Sequence, residues 1–123
     1  AISMDWLPTI ARWCGASVDP RIDGKDIVSV IASDKAASPH ETLVWERPQR
    51  RNPQAAVRQG DWKLVLNGPA TKDRHLDLPG ADVFLSNLAE DVTETKNLAD
   101  QHPDKVAELR KIYEQWGKEV DVQ

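Results

Sequence analysis

Five cationic side chains, Arg47, Arg50, Arg51, Arg58 and Lys63, crowd into one short stretch of the chain. Planar guanidinium groups brought together bind a sulfate or phosphate oxyanion in bidentate fashion. Arg58 and Lys63 flank the dipeptide Gly60-Asp61 and read as a pair on a solvated sheet face or as partners of acids. Arg47, Arg50 and Arg51 lie on a connection with Pro48 and Pro53 near its ends. Connections carry function more often than sheet faces do, so these three arginines are the candidate substrate-binding residues.

Other chemistry-bearing residues give weaker patterns. Cys14 has no His or Asp beside it in "RWCGAS" and reads as a small core side chain on the apolar face of a first helix. One cysteine excludes an internal disulfide and a cysteine-based zinc site. His40, His75 and His102 share no metal-ligand spacing and read as solvated or capping groups. The segment "DPRIDGKD" has the acids and glycine of a calcium loop. However, Arg21 takes a ligand position and Val30 stands where the bidentate Glu belongs, so it reads as a turn. Gly-rich phosphate loops and a hydrolase-elbow serine are absent from the sequence. No catalytic residue and no metal ligand is assigned.

The positioning elements follow from periodicity. Residues 4–14 are helical, with Met4, Leu7, Ile10 and Cys14 on one face, Ser3 or Asp5 at the start and Gly15 as the stop. Pro8 is tolerable there only within the first turn. Asp26 caps a short helix over 27–33. Strands follow at "ETLVWERP", "AAVRQ", "WKLVLN" and "DVFLSNL", the middle two joined by Gly60-Asp61 as a tight hairpin turn. Alternation assigns Ala55, Val57 and Gln59 to one face, and Trp62, Leu64 and Leu66 to one face of the return strand. Residues 68–81 read as an excursion loop. Pro103 opens a final helix striped with Val106, Leu109, Ile112, Tyr113, Trp116 and Val120. The expected class is α+β: a four-stranded antiparallel sheet with a long C-terminal helix on one face, preceded by two short helices.

The 123 residues suffice for about one ordinary domain. A net charge of −4, from 16 basic and 20 acidic side chains, gives no footprint for nucleic acid. No apolar run approaches the roughly 18 residues of a membrane span. The chain opens on Ala1 and runs straight into a helix signal, which reads as a piece of a longer polypeptide.

Five segments in order carry a resemblance. "SMDWLPTIARWCGA", "DGKDIVSVI", "SPHETLVWE", "AAVRQGDWKLVLN" and "VFLSNLAEDVTETKNLADQHPDKVAELRKIYEQW" resemble the last part of type I sulfatases, of the alkaline phosphatase superfamily. The resemblance implies that residues 1–33 end an upstream catalytic α/β domain and that 34–123 form the C-terminal subdomain. It implies an arylsulfatase-like parent that hydrolyses sulfate esters with a formylglycine and a calcium ion. Cys14 is followed by Gly-Ala-Ser, not by the Cys/Ser-x-Pro-x-Arg context of a formylglycine precursor. The chain alone is therefore expected to be an inactive accessory part, its partner the upstream domain. Two alternatives stand beside this: a stand-alone interaction or oligomerisation module that self-associates, and the same part of a phosphonate or phosphate ester hydrolase.

Overall fold

The computed structural model describes residues 2–33, 35–47, 53–68, 72–73, 76–77 and 82–120. These form two compact units, Ala1–Glu41 and Thr42–Gln123.

The first unit holds a 3-10 turn, Ser3–Asp5, and two helices, α1 (Trp6–Trp13) and α2 (Val28–Ala32). Pro8 is the third residue of α1, where an N–H has no intrahelical partner to lose. Gly15 ends the helix at φ 68°. The N–H groups of Gly15 and Ala16 close back onto the carbonyls of Arg12 and Ala11, the Schellman pattern. The carboxylate of Asp26 accepts the Val28 N–H at 2.9 Å, so the expected cap sits just ahead of α2.

The second unit is a sheet with one helix. Strands β1 (Thr42–Arg47), β2 (Gln54–Gln59), β3 (Trp62–Leu66) and β6 (Val83–Asn87) pair antiparallel in the order β1-β2-β3-β6. Between β3 and β6 a two-residue ladder, β4 (Lys72–Asp73) with β5 (Leu76–Asp77), lies within the expected excursion loop. Helix α3 spans Pro103–Val120. Gly60 takes φ 57° in the β2–β3 turn, a conformation that costs a residue without Cβ little.

Register and alternation then fix the two sheet faces. Val57 lies opposite both Val44 and Leu64, and Leu64 opposite Leu85, so one row crosses all four strands. Val57, Leu64, Leu85 and Leu109 of α3 are wholly buried together, with Ala55 and Leu66 beside them. Glu46, also on the helix side of β1, accepts a hydrogen bond from the Tyr113 hydroxyl. The expected fold class and the inward face of the hairpin are what the structure has. Among the described residues, no helix is long and apolar enough to cross a membrane.

Candidate functional site

The opposite sheet face is where the candidate cations stand. Odd positions of β1 and even positions of β2 share it: Trp45 faces Ala56, which faces Val65, and Arg47 faces Gln54. One step toward the hairpin turn, Arg58 and Lys63 lie directly opposite each other. Both are engaged. Lys63 donates to Glu94 at 2.6 Å, and Arg58 turns back onto the Gly60 carbonyl at 3.0 Å. Glu94 reaches Lys63 from a compact loop. The Asp91 carboxylate accepts the N–H groups of Thr95 and Lys96 at 2.7 and 2.8 Å, and Glu94 itself adopts φ 55°.

Arg47 differs. It is exposed at the end of β1, and its side chain has no ion pair or hydrogen bond among the described residues. It borders a shallow groove of about 270 Å³ lined also by Trp45, Gln54, Ala56, Val65 and Gly68. Arg50 and Arg51, the other two candidate substrate-binding residues, lie outside the described residues, as does His75. A second concavity of similar volume lies between Leu66, Asn67 and α3. There Arg110 shares the lining with Asp82 and Glu114, carboxylates that would repel an anion.

The first unit overturns two expectations. Cys14 is not a core side chain; it is exposed just beyond α1. His40 is not solvated; its side chain is 8 % exposed and its Nε2 lies 2.7 Å from Oδ1 of the fully buried Asp5. The same carboxylate accepts the N–H of Ile2 at 2.8 Å and of Lys25 at 2.9 Å. Burial works to raise the Asp5 pKa, yet these N–H groups and His40 hold it below the ordinary carboxylate value. An ionised carboxylate only accepts, so His40 Nε2 carries the hydrogen. Thr9 completes the clasp: its hydroxyl donates to the Asp5 carbonyl at 2.6 Å and accepts the Ile27 N–H at 3.1 Å. Gly24 lets the loop approach so closely that a Cβ there would stand 2.2 Å from the Met4 carbonyl oxygen.

The buried side of α1 is therefore Pro8 and Thr9, with Asp5 just ahead of it, while Met4, Trp6, Leu7, Ile10 and Trp13 are each about half exposed. The apolar face that periodicity marks as core is open in this chain.

A further residue that spacing did not flag is Asn97. Its side chain accepts from the Leu85 N–H and donates to the Val83 carbonyl, both at 3.0 Å, and the Leu98 N–H reaches the Leu85 carbonyl at 2.8 Å. The free edge of β6 is thereby paired. An Asn before an apolar pair, shortly after a strand, is the sequence trace it leaves.

Among the described residues the acids do not assemble a cation site. Asp5 is spent on N–H groups and His40, Asp19 on Arg21 and Asp26 on Arg12. No group of three His, Cys, Asp or Glu side chains able to hold a metal occurs among the described residues. The calcium and formylglycine that the resemblance implies find no fitting residues there.

No family model matches the chain. Solved structures do. Ps i-CgsB superimposes with a TM-score of 0.68 at 20% identity over 91% of this chain, and BT1596, a 2-O GAG sulfatase, with 0.66 at 23% over 91%. BT33336S-sulf, from a Bacteroides thetaiotaomicron locus for metabolism of multiple glycosaminoglycans, gives 0.62 at 21% over 90%. The chain has the fold of the C-terminal part of sulfatases. It spans about a quarter of their length, 23% of the first two and 24% of the third.

Proposed function

We propose that this chain is the C-terminal accessory part of an arylsulfatase-type hydrolase of sulfate esters, whose nucleophile and metal lie in an upstream catalytic α/β domain of the same polypeptide. The observation that carries the reading is the match of nine-tenths of this chain to about a quarter of each similar sulfatase structure. In this reading residues 1–33 close the catalytic domain and 34–123 form the subdomain. Ps i-CgsB has a structure in complex with k-i-k-neocarrahexaose, and BT1596 is a sulfatase of glycosaminoglycans, which supports sulfated saccharides as the substrate class. Arg47, with Arg50 and Arg51, borders the cleft in this reading; the exposed guanidinium of Arg47, without a partner among the described residues, supports it. The purified 123-residue chain is expected to give no turnover of 4-nitrophenyl sulfate with or without calcium, while the longer polypeptide does. In that longer protein Arg47→Ala is expected to lower kcat/KM. Turnover by the chain alone would sink the reading.

A second reading, an interaction or oligomerisation module, is favoured by the open face of α1. Leu7 and Trp13 are 60% and 59% exposed, with Met4, Trp6 and Ile10 beside them. Burial of such a patch is favourable in proportion to its apolar area. In the sulfatase reading the catalytic domain covers it; in isolation a second copy does. Sedimentation of the isolated chain is expected to show a concentration-dependent rise in mass that Leu7→Glu abolishes. A strictly monomeric chain counts against a role for this face in association.

A further inference from the structure

Asn67 and Gly68 follow β3 directly, and both are half-buried, so water reaches them. Asn67 takes φ 50°, in the left-handed region that glycine, and asparagine after it, adopts most readily. Its backbone N–H reaches the Asp82 carbonyl at 2.9 Å, and its side-chain Nδ2 donates to the Pro53 carbonyl at 3.0 Å. A carbonyl only accepts, so the amide nitrogen, not the amide oxygen, faces Pro53. Pro53 immediately precedes β2 and ends the connection that carries Arg50 and Arg51. This one amide therefore ties the end of β3 to the entry of β2, just beyond their last paired positions, Leu66 and Ala55. In the sequence, Asn67 is also the one asparagine followed by glycine: Asn52 precedes Pro53, Asn87 precedes Leu88 and Asn97 precedes Leu98.

We propose that Asn67 is a self-modification site, at which hydrolysis of its side-chain amide unties β3 from Pro53. The proposal stands on this chain's own residues and does not depend on the sulfatase reading. The main-chain nitrogen of Gly68 attacks Cγ of Asn67 and gives up its hydrogen through water. The N–Cγ bond forms, the Cγ–Nδ2 bond breaks, and Nδ2 leaves as ammonia with that hydrogen. Water then opens the five-membered imide at either carbonyl, leaving an aspartate or an isoaspartate at position 67. The sum is amide plus water to acid plus ammonia, with no oxidant or reductant. Gly68 has no Cβ to shield the attacking nitrogen. The nitrogen that leaves is the one that donates to Pro53. The carboxylate left behind only accepts, so it faces the Pro53 carbonyl with no hydrogen to share. Asp82 and Glu114 line the same concavity as Asn67, so the new charge joins like charges, which Arg110 there offsets in part. While the Pro53 contact holds, it restrains the leaving nitrogen, so conversion proceeds through local opening of this corner.

The test is incubation of the 123-residue chain at mildly alkaline pH, native and unfolded in urea, followed by peptide mass spectrometry. The peptide that carries Asn67 is expected to gain the mass of one amide-to-acid conversion and to contain isoaspartate. The native chain is expected to convert about tenfold more slowly than the unfolded one. The denaturant midpoint of the sheet unit is expected to fall as conversion proceeds, and Asn67→Asp to start from a lowered midpoint. Asn67→Gln keeps an amide but would have to close a larger ring, so it is expected not to convert and to hold its own midpoint through the same incubation. Conversion in urea with none in the native chain overturns the proposal, as does conversion at Asn87 or Asn97 in place of Asn67. Equal rates in the two states would show that the Pro53 contact restrains nothing. An unchanged midpoint in Asn67→Asp would show that the contact ties nothing, and either result overturns the proposal as well.

Discussion

Leu64→Ala is expected to cost the sheet unit about 2–5 kcal/mol, read as a fall in the denaturant midpoint at unchanged slope. Leu64 sits on the central strand β3, between Val57 and Leu85, and has no exposed surface. Leu109 of α3 belongs to the same buried cluster. Truncation removes contacts to three elements at once, and neither flanking strand can close the gap without breaking ladder hydrogen bonds. The loss therefore combines the transfer free energy of the missing atoms with a residual cavity. Val92→Ala is the contrast: Val92 is 80% exposed, and its replacement is expected to fall within about 0.5 kcal/mol of no change. A Leu64→Ala loss below about 1 kcal/mol would show that the row across the four strands is not the core.

The contrast between these positions was legible in the sequence because a strand's period of two is a local property. Alternation in "AAVRQ" and "WKLVL", joined by Gly60-Asp61, leaves one register that buries Ala55, Val57, Leu64 and Leu66 together. Gly60 at φ 57° is what such a turn demands. Helix α1 shows the limit of the same method. Periodicity identifies its apolar face but does not say what covers it, and in this chain the packed side is that of Pro8 and Thr9. The loop at Lys25 and Ile27 brings N–H donors that need acceptors, and Asp5 and Thr9 supply them. His40 joins from 35 positions away, a distance at which spacing carries no signal. Among the cations the sequence showed charge but not competition. That Lys63 is taken by Glu94 depends on the loop that Asp91 closes by accepting the N–H groups of Thr95 and Lys96.

The Asp5 clasp is where the first unit is most vulnerable, and both its strength and its pH dependence can be predicted. Asp5→Ala is expected to destabilise this unit by about 2–5 kcal/mol, because it leaves the part-buried N–H groups of Ile2 and Lys25 and the His40 ring without their acceptor. Asp5→Asn does little better: its amide points a donor where a carboxylate oxygen accepted one. Gly24→Ala acts on the same contact by a different route, driving a Cβ to 2.2 Å from a backbone oxygen that has no rotamer to escape with. The pKa of Asp5 is lowered in the folded chain, so its contribution is complete above the unfolded value of about 3.9 and is lost as pH falls through the lower folded value. Hydrogen exchange at the Ile27 amide, which the Thr9 hydroxyl holds, reads this unit separately from the sheet. Its protection is expected to be flat near neutral pH and to drop at acid pH in the natural chain. In Asp5→Asn it is expected to start lower and to lack the acid drop, since the group whose protonation drives it is gone. An acid drop that survives in Asp5→Asn would assign the titration to another carboxylate and take the clasp out of the account of this unit's stability.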